Sequence, residues 1–269
     1  MVESIAEGTA IITATSVSGG FTAQCSVSVV TALVVASGNC GANGNNLTWV
    51  LTSDSILTIS GAGDMADFEY YMIPLTTDFY SDVPWLSYAS RIKTVVLPSG
   101  ITSIGAHSFM GCNNLTGEFT IPNGITYIGA RAFWGCNNLT TINFNATNCT
   151  TMGGLVQGPF GGYYSGPFGC TGVTTVNIGS NVTIIPDNAS LGFPDLISLT
   201  IPNSVTSIGN NAFSGCSGLT TLNFNATNCT SVGTGCWTDN NIRALLKTHY
   251  FHFFNFKIIG CQNIAFLIF

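Results

Sequence analysis

Short segments of the sequence alternate between apolar and polar residues, which is typical of β-strands with one buried face. Leu139–Phe144 reads LTTINF and residues 125–128 read ITYI, so each follows a period of two. An Ile-Pro step ends the first type of strand, and Gly129 allows a turn after the second. We therefore predict two short strands in each unit, followed by a tight helical turn from which Phe133 and Cys136 point inward.

The sequence also repeats itself at a fixed period. Residues 121–153 and 201–233 match at 22 of 33 positions. Each of these contains a shorter unit of about 23 residues, with the pattern I-P-x-x-[IV]-T-x-I-G-x-x-A-F-x-G-C-x-x-L-T. Residues 97–116 form another copy, and degenerate copies fill 167–199. We predict a continuous array of about five units from residue 92 to residue 233.

One such unit buries apolar side chains along one edge only, so it has to stack on its neighbours. The predicted fold class is therefore a repeat solenoid. Phe109, Phe133 and Phe213 share one repeat position and are expected to form a single internal row.

The unit resembles the BspA-like leucine-rich repeat, also called the Treponema-type repeat, through the motif given above. That family is found on surface proteins of Bacteroidetes, other bacteria and some mucosal protozoa. The resemblance implies leucine-rich-repeat coils of short parallel β-strands with short helical turns at residues 97–236. Residues 38–96, with Cys40-Gly41 and Pro84-Trp85, resemble the leader that precedes such repeats, and we interpret them as an N-terminal cap.

Residues 8–30 resemble the last strands of a group 2 bacterial Ig-like domain. Alternation at 10–15 and 25–29, around a Ser-Gly-Gly turn, also predicts a β-hairpin without that resemblance. We assign residues 1–32 to a partial Ig-like domain, a partial β-sandwich hairpin, because a whole domain needs more strands. The N-terminus has no basic region followed by an apolar run, so we expect any export signal to lie upstream of Met1.

The sequence stops following the repeat after Cys236. Residues 237–269 hold three of the six basic residues and six of the eighteen phenylalanines. This atypical tail has three interpretations: a C-terminal cap, a membrane anchor, and an out-of-frame or truncated gene end, which we favour. The anchor is the weakest, because residues 258–269 give twelve uncharged residues and a spanning helix needs about twenty. We therefore predict no membrane span.

Composition excludes some partners. The chain is 46% hydrophobic, which is enough for a sizeable core, but only 7% charged, with a net charge of -6. No basic stripe is present to neutralise phosphates, so we predict no nucleic-acid binding, and anionic membrane surfaces are disfavoured for the same reason.

Six of the ten cysteines recur at fixed positions of the repeat, and their spacing is not that of a metal motif. There is no C-x-x-C pair and no H-x-x-x-H. Two repeat positions carry them, and these are occupied by Cys112, Cys136, Cys170 and Cys216, and by Cys149 and Cys229. We predict two columns of stacked buried thiols, with disulfides between coils left open, and no metal or other cofactor.

No histidine is a convincing catalytic base. His107 occupies a variable repeat position, held by Arg131 or Asn211 in other copies, so we predict that it lies on the surface. His249 and His252 lie in the atypical tail. Because a nucleophilic site needs a positioned base, we predict that the chain is not an enzyme.

Two surfaces are candidates for ligand contact. The first is the exposed side of the repeated strands, where equivalent residues of successive coils line up. It comprises Thr140, Asn143, Thr174, Asn177, Thr220 and Asn223. These side chains either bind a ligand by hydrogen bonds or simply suit an exposed strand.

The second candidate is an aromatic patch in the leader, where tyrosine gives a large contact area for little entropy. It comprises Tyr70, Tyr71, Phe79 and Tyr80. Five acidic residues are interleaved with it, and we favour a solvated loop over a calcium site because the calcium-loop motif is absent. These residues are Asp64, Asp67, Glu69, Asp78 and Asp82.

The resemblance implies adhesion, with host extracellular-matrix or cell-surface proteins or glycans as partners, and a cell-surface or secreted location. The alternatives are a structural spacer and a targeting module of a larger secreted enzyme.

Overall fold

The chain is built almost entirely of short strands. The computed structural model describes residues 8–15, 18, 20, 22–29, 32–72, 79–158, 161–189 and 193–236. Within these residues one helix occurs, the 3₁₀ helix Leu86–Arg91, and the remaining regular elements are strands. The predicted atypical tail, 237–269, lies outside the described residues.

The N-terminal segment forms the predicted hairpin. Strands β1 (Gly8–Thr15) and β2 (Thr22–Val29) pair antiparallel over their full length. Gly20 in the connection has a φ of 64°, a backbone conformation that favours glycine. The two strands form a sheet of their own, so the Ig-like domain stays a prediction.

Four strands around the start of the repeats form one sheet in the order β3-β4-β5-β9. They are β3 (Val34–Gly41), β4 (Gly44–Thr52), β5 (Ile56–Gly61) and β9 (Thr94–Val96). The first three pair antiparallel, whereas β9 runs parallel to β5. Leu47, Trp49 and Leu51 alternate along β4 and are buried, because every second side chain of a strand points to the same face.

From residue 117 onwards, the first strand of each repeat unit joins a parallel sheet, which we call the main sheet. Its strands follow chain order: β11 (Gly117–Ile121), β14 (Leu139–Phe144), β19 (Thr175–Ile178), β21 (Ser198–Ile201) and β23 (Thr221–Phe224). Each strand pairs with the strand of the next unit, so neighbouring units are linked by backbone hydrogen bonds.

The second strand of each unit is shorter and also pairs in parallel. One sheet contains β6 (Gly63–Asp64), β10 (Ile101–Ile104), β12 (Tyr127–Ile128) and β15 (Thr151–Met152). Another contains β20 (Ile184–Ile185), β22 (Ser207–Ile208) and β24 (Ser231–Val232). The prediction of two strands in each unit is therefore confirmed.

Three smaller pairs complete the strands. In the leader, β7 (Tyr70–Met72) and β8 (Phe79–Ser81) are antiparallel. Within the repeats, β13 (Phe133–Trp134) and β18 (Phe168–Gly169) are parallel. Between these two, β16 (Gly154–Gly158) and β17 (Gly161–Ser165) form a hairpin.

The predicted helical turns after the second strands are not supported. The chain reverses there through one residue in the left-handed conformation, with φ of 58° at His107, 54° at Arg131 and 52° at Asn211. A helix does not contain such a residue. Gly129, which was expected to allow this turn, has a different role: a Cβ there would collide with the backbone of Ala106 in the preceding unit.

The core contains a column of aromatic rings that runs along the stack of units. Ring centroids are 5.7 Å apart for Trp85 and Phe109, 5.3 Å for Phe109 and Phe133, 5.1 Å for Phe133 and Phe168, and 5.0 Å for Phe168 and Phe193. Four of these are phenylalanines from one position in successive units. The predicted internal row is thus confirmed for Phe109 and Phe133, and the equivalent Phe213 is buried as well.

An insertion interrupts the repeat between β15 and β18. Asn143 and Asn177, which are equivalent residues, are 34 positions apart, whereas Thr120 and Asn143 are 23 apart. The hairpin of β16 and β17 accommodates the extra residues. The second-strand sheet divides at this point, since β15 and β20 belong to different sheets. A small apolar cavity of about 30 Å³ lies near this division, lined in part by Met152 and Ile185.

Candidate ligand-binding face

The solvent side of the main sheet carries a row of amides and hydroxyls, which we call the amide row. Register places Thr120 opposite Asn143, Asn143 opposite Asn177, and Thr200 opposite Asn223. Side-chain hydrogen bonds follow the row: Asn177 Nδ2 donates to Asn143 Oδ1 at 2.7 Å, and Asn143 Nδ2 donates to Thr120 Oγ1 at 3.3 Å. Asn223 Nδ2 donates to Thr200 Oγ1 at 3.3 Å. The structure therefore brings the predicted Asn143 and Asn177 together, whereas Asn223 bonds to Thr200 of the neighbouring strand.

A second exposed row, which we call the hydroxyl row, runs beside the first. It comprises Glu118, Thr141, Thr175, Ser198 and Thr221, which pair in register across the main sheet. Sequence reasoning missed this row. The apolar Ile142, which is buried, could have predicted this row. In a strand, both neighbours of an inward-facing residue face outward, and here these are Thr141 and Asn143.

The predicted threonines Thr140, Thr174 and Thr220 are exposed but lie at the beginning of the strands or just before them. Each hydroxyl donates to a backbone carbonyl of the preceding unit. The acceptors are Gly117 at 3.1 Å, Thr140 at 3.5 Å and Ile197 at 3.3 Å, respectively. The hydroxyls of these three threonines therefore connect successive units. The residues that lie beside the amide row on the exposed face are those of the hydroxyl row.

The face formed by the two rows is polar and almost uncharged. Glu118 is the only charged residue in the five strands of the main sheet. Because neighbouring strands of a sheet are about 4.8 Å apart, each row repeats at about that interval. Hydroxyl and amide groups both donate and accept hydrogen bonds, so the face suits a neutral ligand that is rich in polar groups.

The aromatic patch lies on the hairpin of β7 and β8. Tyr71 and Tyr80 are 47% and 41% exposed, and their rings stack with centroids 4.9 Å apart. Tyr70 stacks instead on His107, at 5.8 Å. Phe79 pairs through its backbone with Met72, and its side chain is outside the described part. The structure thus exposes two of the four predicted residues as a stacked pair.

His107 is buried, with 8% of its surface exposed, so the prediction of a surface histidine is wrong. Residues of the leader cover it: its Nδ1 lies 2.8 Å from the carbonyl oxygen of Phe68, and Tyr70 stacks on the ring. A carbonyl only accepts, so Nδ1 carries the hydrogen. Burial lowers the pKa of His107 below its ordinary value, and the positive charge of Arg131 lowers it further.

The acidic residues near the patch accept hydrogen bonds from backbone N–H groups and from a side-chain hydroxyl. Asp67 Oδ1 accepts a hydrogen bond from the Ala106 N–H, and Asp82 Oδ1 accepts one from the Glu69 N–H, both at 2.6 Å. Asp64 Oδ1 accepts the hydroxyl of Thr102, also at 2.6 Å. Asp78 lies outside the described residues. In the part of the chain that the structure describes, no group of three or more potential ligand side chains forms a metal site.

Comparison with known families agrees with this architecture. The sequence profile of the BspA type leucine rich repeat region matches residues 86–155 and 166–258 with six copies, which together make up more than half of the chain. The chain belongs to this family. No curated protein matches the sequence significantly.

Several solved leucine-rich repeat proteins are similar to this BspA-type chain. The T. pallidum leucine rich repeat protein is 22% identical, with 76% of this chain and 94% of that chain covered and a TM-score of 0.44. A leucine-rich repeat protein from Eubacterium ventriosum ATCC 27560 is also 22% identical, with coverages of 76% and 71% and a TM-score of 0.33. A leucine rich cell surface protein from Faecalibacterium prausnitzii A2-165 is 20% identical, with coverages of 70% and 55% and a TM-score of 0.36.

The cysteines predicted to form columns are buried in the BspA-type units. Cys112, Cys136, Cys170 and Cys216 are all fully buried, and Cys149 and Cys229 are nearly so. The thiol of Cys136 donates to the carbonyl of Phe109 at 3.1 Å, and that of Cys170 donates to the carbonyl of Phe133 at 2.9 Å. Burial raises the pKa of Cys112 to about 12, so its thiol stays protonated.

No helix within the described ranges has the length and apolar character needed to cross a membrane.

Proposed function

We propose that this BspA-type chain is a non-enzymatic cell-surface or secreted protein that adheres to host extracellular-matrix or cell-surface proteins or glycans through the main sheet. The observation that carries the proposal is the register of the amide row and the hydroxyl row. Five successive strands present equivalent polar side chains to solvent. An extended ligand would meet the same groups at each step, so many weak hydrogen bonds would act together.

The repeat units form one continuous solenoid in this proposal, and the leader is its N-terminal cap. Two contacts support the cap. Trp85 begins the aromatic column by stacking on Phe109, and its Nε1 donates to the carbonyl of Ser108 at 2.7 Å. In addition, Thr116 N donates to Lys93 O, which joins the residue before β9 to the residue before β11.

The absence of enzymatic activity is supported by the surroundings of His107. Its Nδ1 is engaged by the carbonyl of Phe68, and the hydroxyl of the adjacent Ser108 donates to the carbonyl of Gly105 at 2.8 Å. A general base must lie within hydrogen-bonding distance of the proton that it removes. A nucleophile must lie next to such a base. Neither group has that arrangement.

Binding by the face is tested on immobilised fibronectin, fibrinogen and mucin glycans. We expect the protein to be retained on at least one of them, and the double variant Thr175→Arg/Asn177→Arg to lose at least about tenfold in affinity, because two large cations would obstruct both rows. Thr183→Arg is the matched control, since this exposed residue precedes β20 on another sheet. If the double variant bound as tightly as the parent chain, the binding site would not be on the main sheet.

A spacer is the second candidate function, and one observation favours it. The amides of Asn143 and Asn177 bond to each other along the row, so part of their hydrogen-bonding capacity serves the stack itself. A spacer would project other domains and would be retained on none of the three surfaces. A targeting module of a secreted enzyme would instead bind its target through the face.

The stacked pair of Tyr71 and Tyr80 is a second contact surface in this proposal. Both rings are partly exposed and preordered by their stacking, which lowers the entropy cost of binding. We expect the double variant Tyr71→Ser/Tyr80→Ser to bind more weakly than the parent chain, while its unfolding temperature falls by only a few degrees at most. Unchanged affinity would remove the patch from the binding surface.

A further inference from the structure

Two cysteines of neighbouring units, Cys136 and Cys170, both bond to the same backbone carbonyl. Cys136 and Cys170 follow the paired strands β13 and β18, where Phe133 lies opposite Phe168 and Trp134 opposite Gly169. The thiol of Cys170 donates to the carbonyl of Phe133 at 2.9 Å, and the same carbonyl accepts the backbone N–H of Cys136 at 3.2 Å. Neighbouring strands are about 4.8 Å apart, which is within the Cα separation of about 4.4–6.8 Å that a disulfide spans.

The pair joins the two units on either side of the insertion. At this junction the second-strand sheet is divided, because β15 and β20 belong to different sheets. The units are still connected by the main sheet and by the short pairing of β13 and β18. A covalent bond here would reinforce the junction at which the pairing of the second strands is reduced to one bridge, between Thr151 and Asp187.

We propose that Cys136 and Cys170 are a modification site at which oxidation forms a disulfide between the two units. The oxidant is a disulfide compound, either a small molecule such as oxidised glutathione or the active-site disulfide of an oxidoreductase. One protein thiolate attacks the oxidant and releases one thiol, and the second protein thiolate displaces the other. Two protein thiols and one oxidant disulfide thus become one protein disulfide and two oxidant thiols. The inference goes beyond ligand binding and does not depend on it.

Burial determines when this reaction takes place. Both side chains are fully buried in the folded chain, so an oxidant does not reach them. The disulfide therefore forms while the chain folds, when the thiols are still accessible, and the folded reduced protein resists oxidation.

The test refolds the full chain from denaturant in a buffer of oxidised and reduced glutathione. Free thiols are then alkylated under denaturing conditions and the protein is digested with chymotrypsin. Cleavage after Trp134, Phe144 and Phe168 separates Cys136 from Cys170 in the sequence. We expect a cross-linked peptide pair that contains both cysteines, and a thermal midpoint about 5 °C above that of the reduced protein. Recovery of both peptides in alkylated form would overturn the proposal, as would a link from Cys136 to Cys112.

Two variants serve as controls. Cys170→Ala removes one partner, so its refolding in either redox buffer should give the same midpoint. Cys216→Ala is the matched variant: Cys216 occupies the same repeat position, but the preceding unit has no cysteine between Phe193 and Leu196. It should keep the full difference between oxidised and reduced protein. If Cys170→Ala does not fold, peptide mapping of the parent chain decides alone.

Discussion

The rings of Phe133 and Phe168 stack with centroids 5.1 Å apart and planes 15° from parallel, although an insertion separates their units. The hairpin of β16 and β17 contains the extra residues, so the repeat position continues beyond them. An insertion in a repeat protein is tolerated when it loops out of the stack, because each unit contacts its neighbours through equivalent residues. The aromatic column thus continues across the insertion, alongside the main sheet.

Removing one ring from this column should destabilise the whole stack. Phe133 is fully buried and stacks on both Phe109 and Phe168. We expect Phe133→Ala to lower the free energy of unfolding by about 3–5 kcal/mol, since both transfer energy and packing are lost. Tyr80→Ala, which removes a partly exposed ring, should cost about 1 kcal/mol or less. Urea titrations of both variants measure the two free energies of unfolding. Equal decreases would contradict a stabilising role of stacking in the column.

Periodicity predicted the parts of the fold that every unit repeats. Alternation around Leu139–Phe144 predicted the first strand, and the shared position of Phe109 and Phe133 predicted their alignment. His107 was placed wrongly because its neighbours, Phe68 and Tyr70, come from the leader, which does not repeat. A repeat pattern describes contacts between equivalent units and contains no information about the segment that covers the first of them.

Gly129, which follows the second strand β12, should be intolerant of a methyl group. A Cβ on Gly129 would overlap the backbone of Ala106, which has no side-chain freedom with which to move away. We expect Gly129→Ala to cost at least about 2 kcal/mol in unfolding free energy, as overpacking does in other cores. Gly44→Ala tests the opposite case, because Gly44 has a φ of 77° and open space around it. The unfolding free energy of that variant should fall by only about 1 kcal/mol, because of backbone strain. Chemical denaturation measures both variants, and a larger loss for Gly44→Ala than for Gly129→Ala would refute this reasoning.

The turn after the second strand requires a left-handed residue and not a helix. Sequence reasoning did not find it because the position is occupied by histidine, arginine and asparagine, whose side chains have little else in common. The common feature is the backbone angle, which a hydrophobic pattern does not encode. The sequence pattern does not encode the ligand of the face for a related reason, since threonine and asparagine suit both an exposed strand and a binding surface.

Substitution at Asn211 should separate backbone strain from side-chain contacts. Its φ of 52° is tolerated by asparagine and glycine but disfavoured for a β-branched residue. We expect Asn211→Val to lower the unfolding free energy by about 1–2 kcal/mol. Asn211→Gly should stay within about 0.5 kcal/mol of the parent, and calorimetric melting of the three proteins measures both differences. If the glycine variant were as unstable as the valine variant, the lost side-chain contacts would be responsible.

The stability of the junction between leader and repeats should depend on pH through His107. Burial, together with the charge of Arg131, lowers the pKa of His107 below 6.5, although the Phe68 hydrogen bond and the carboxylates of Asp67 and Asp82 act in the opposite direction. The unfolded chain therefore binds the proton more readily than the folded one. Stability is fully present above about pH 6.5 and falls as the pH decreases through that value towards the lower folded pKa.

The comparison for this prediction is His107→Asn, because asparagine already occupies the same left-handed position at Asn211. The variant should be less stable at every pH, since it loses the stacking on Tyr70. Its unfolding free energy should nevertheless change less than that of the parent chain between about pH 7.5 and pH 5. Urea unfolding at both pH values gives the two differences. A parallel decrease in both proteins would assign the pH dependence to other groups, whereas a smaller decrease in the variant locates it at the buried imidazole.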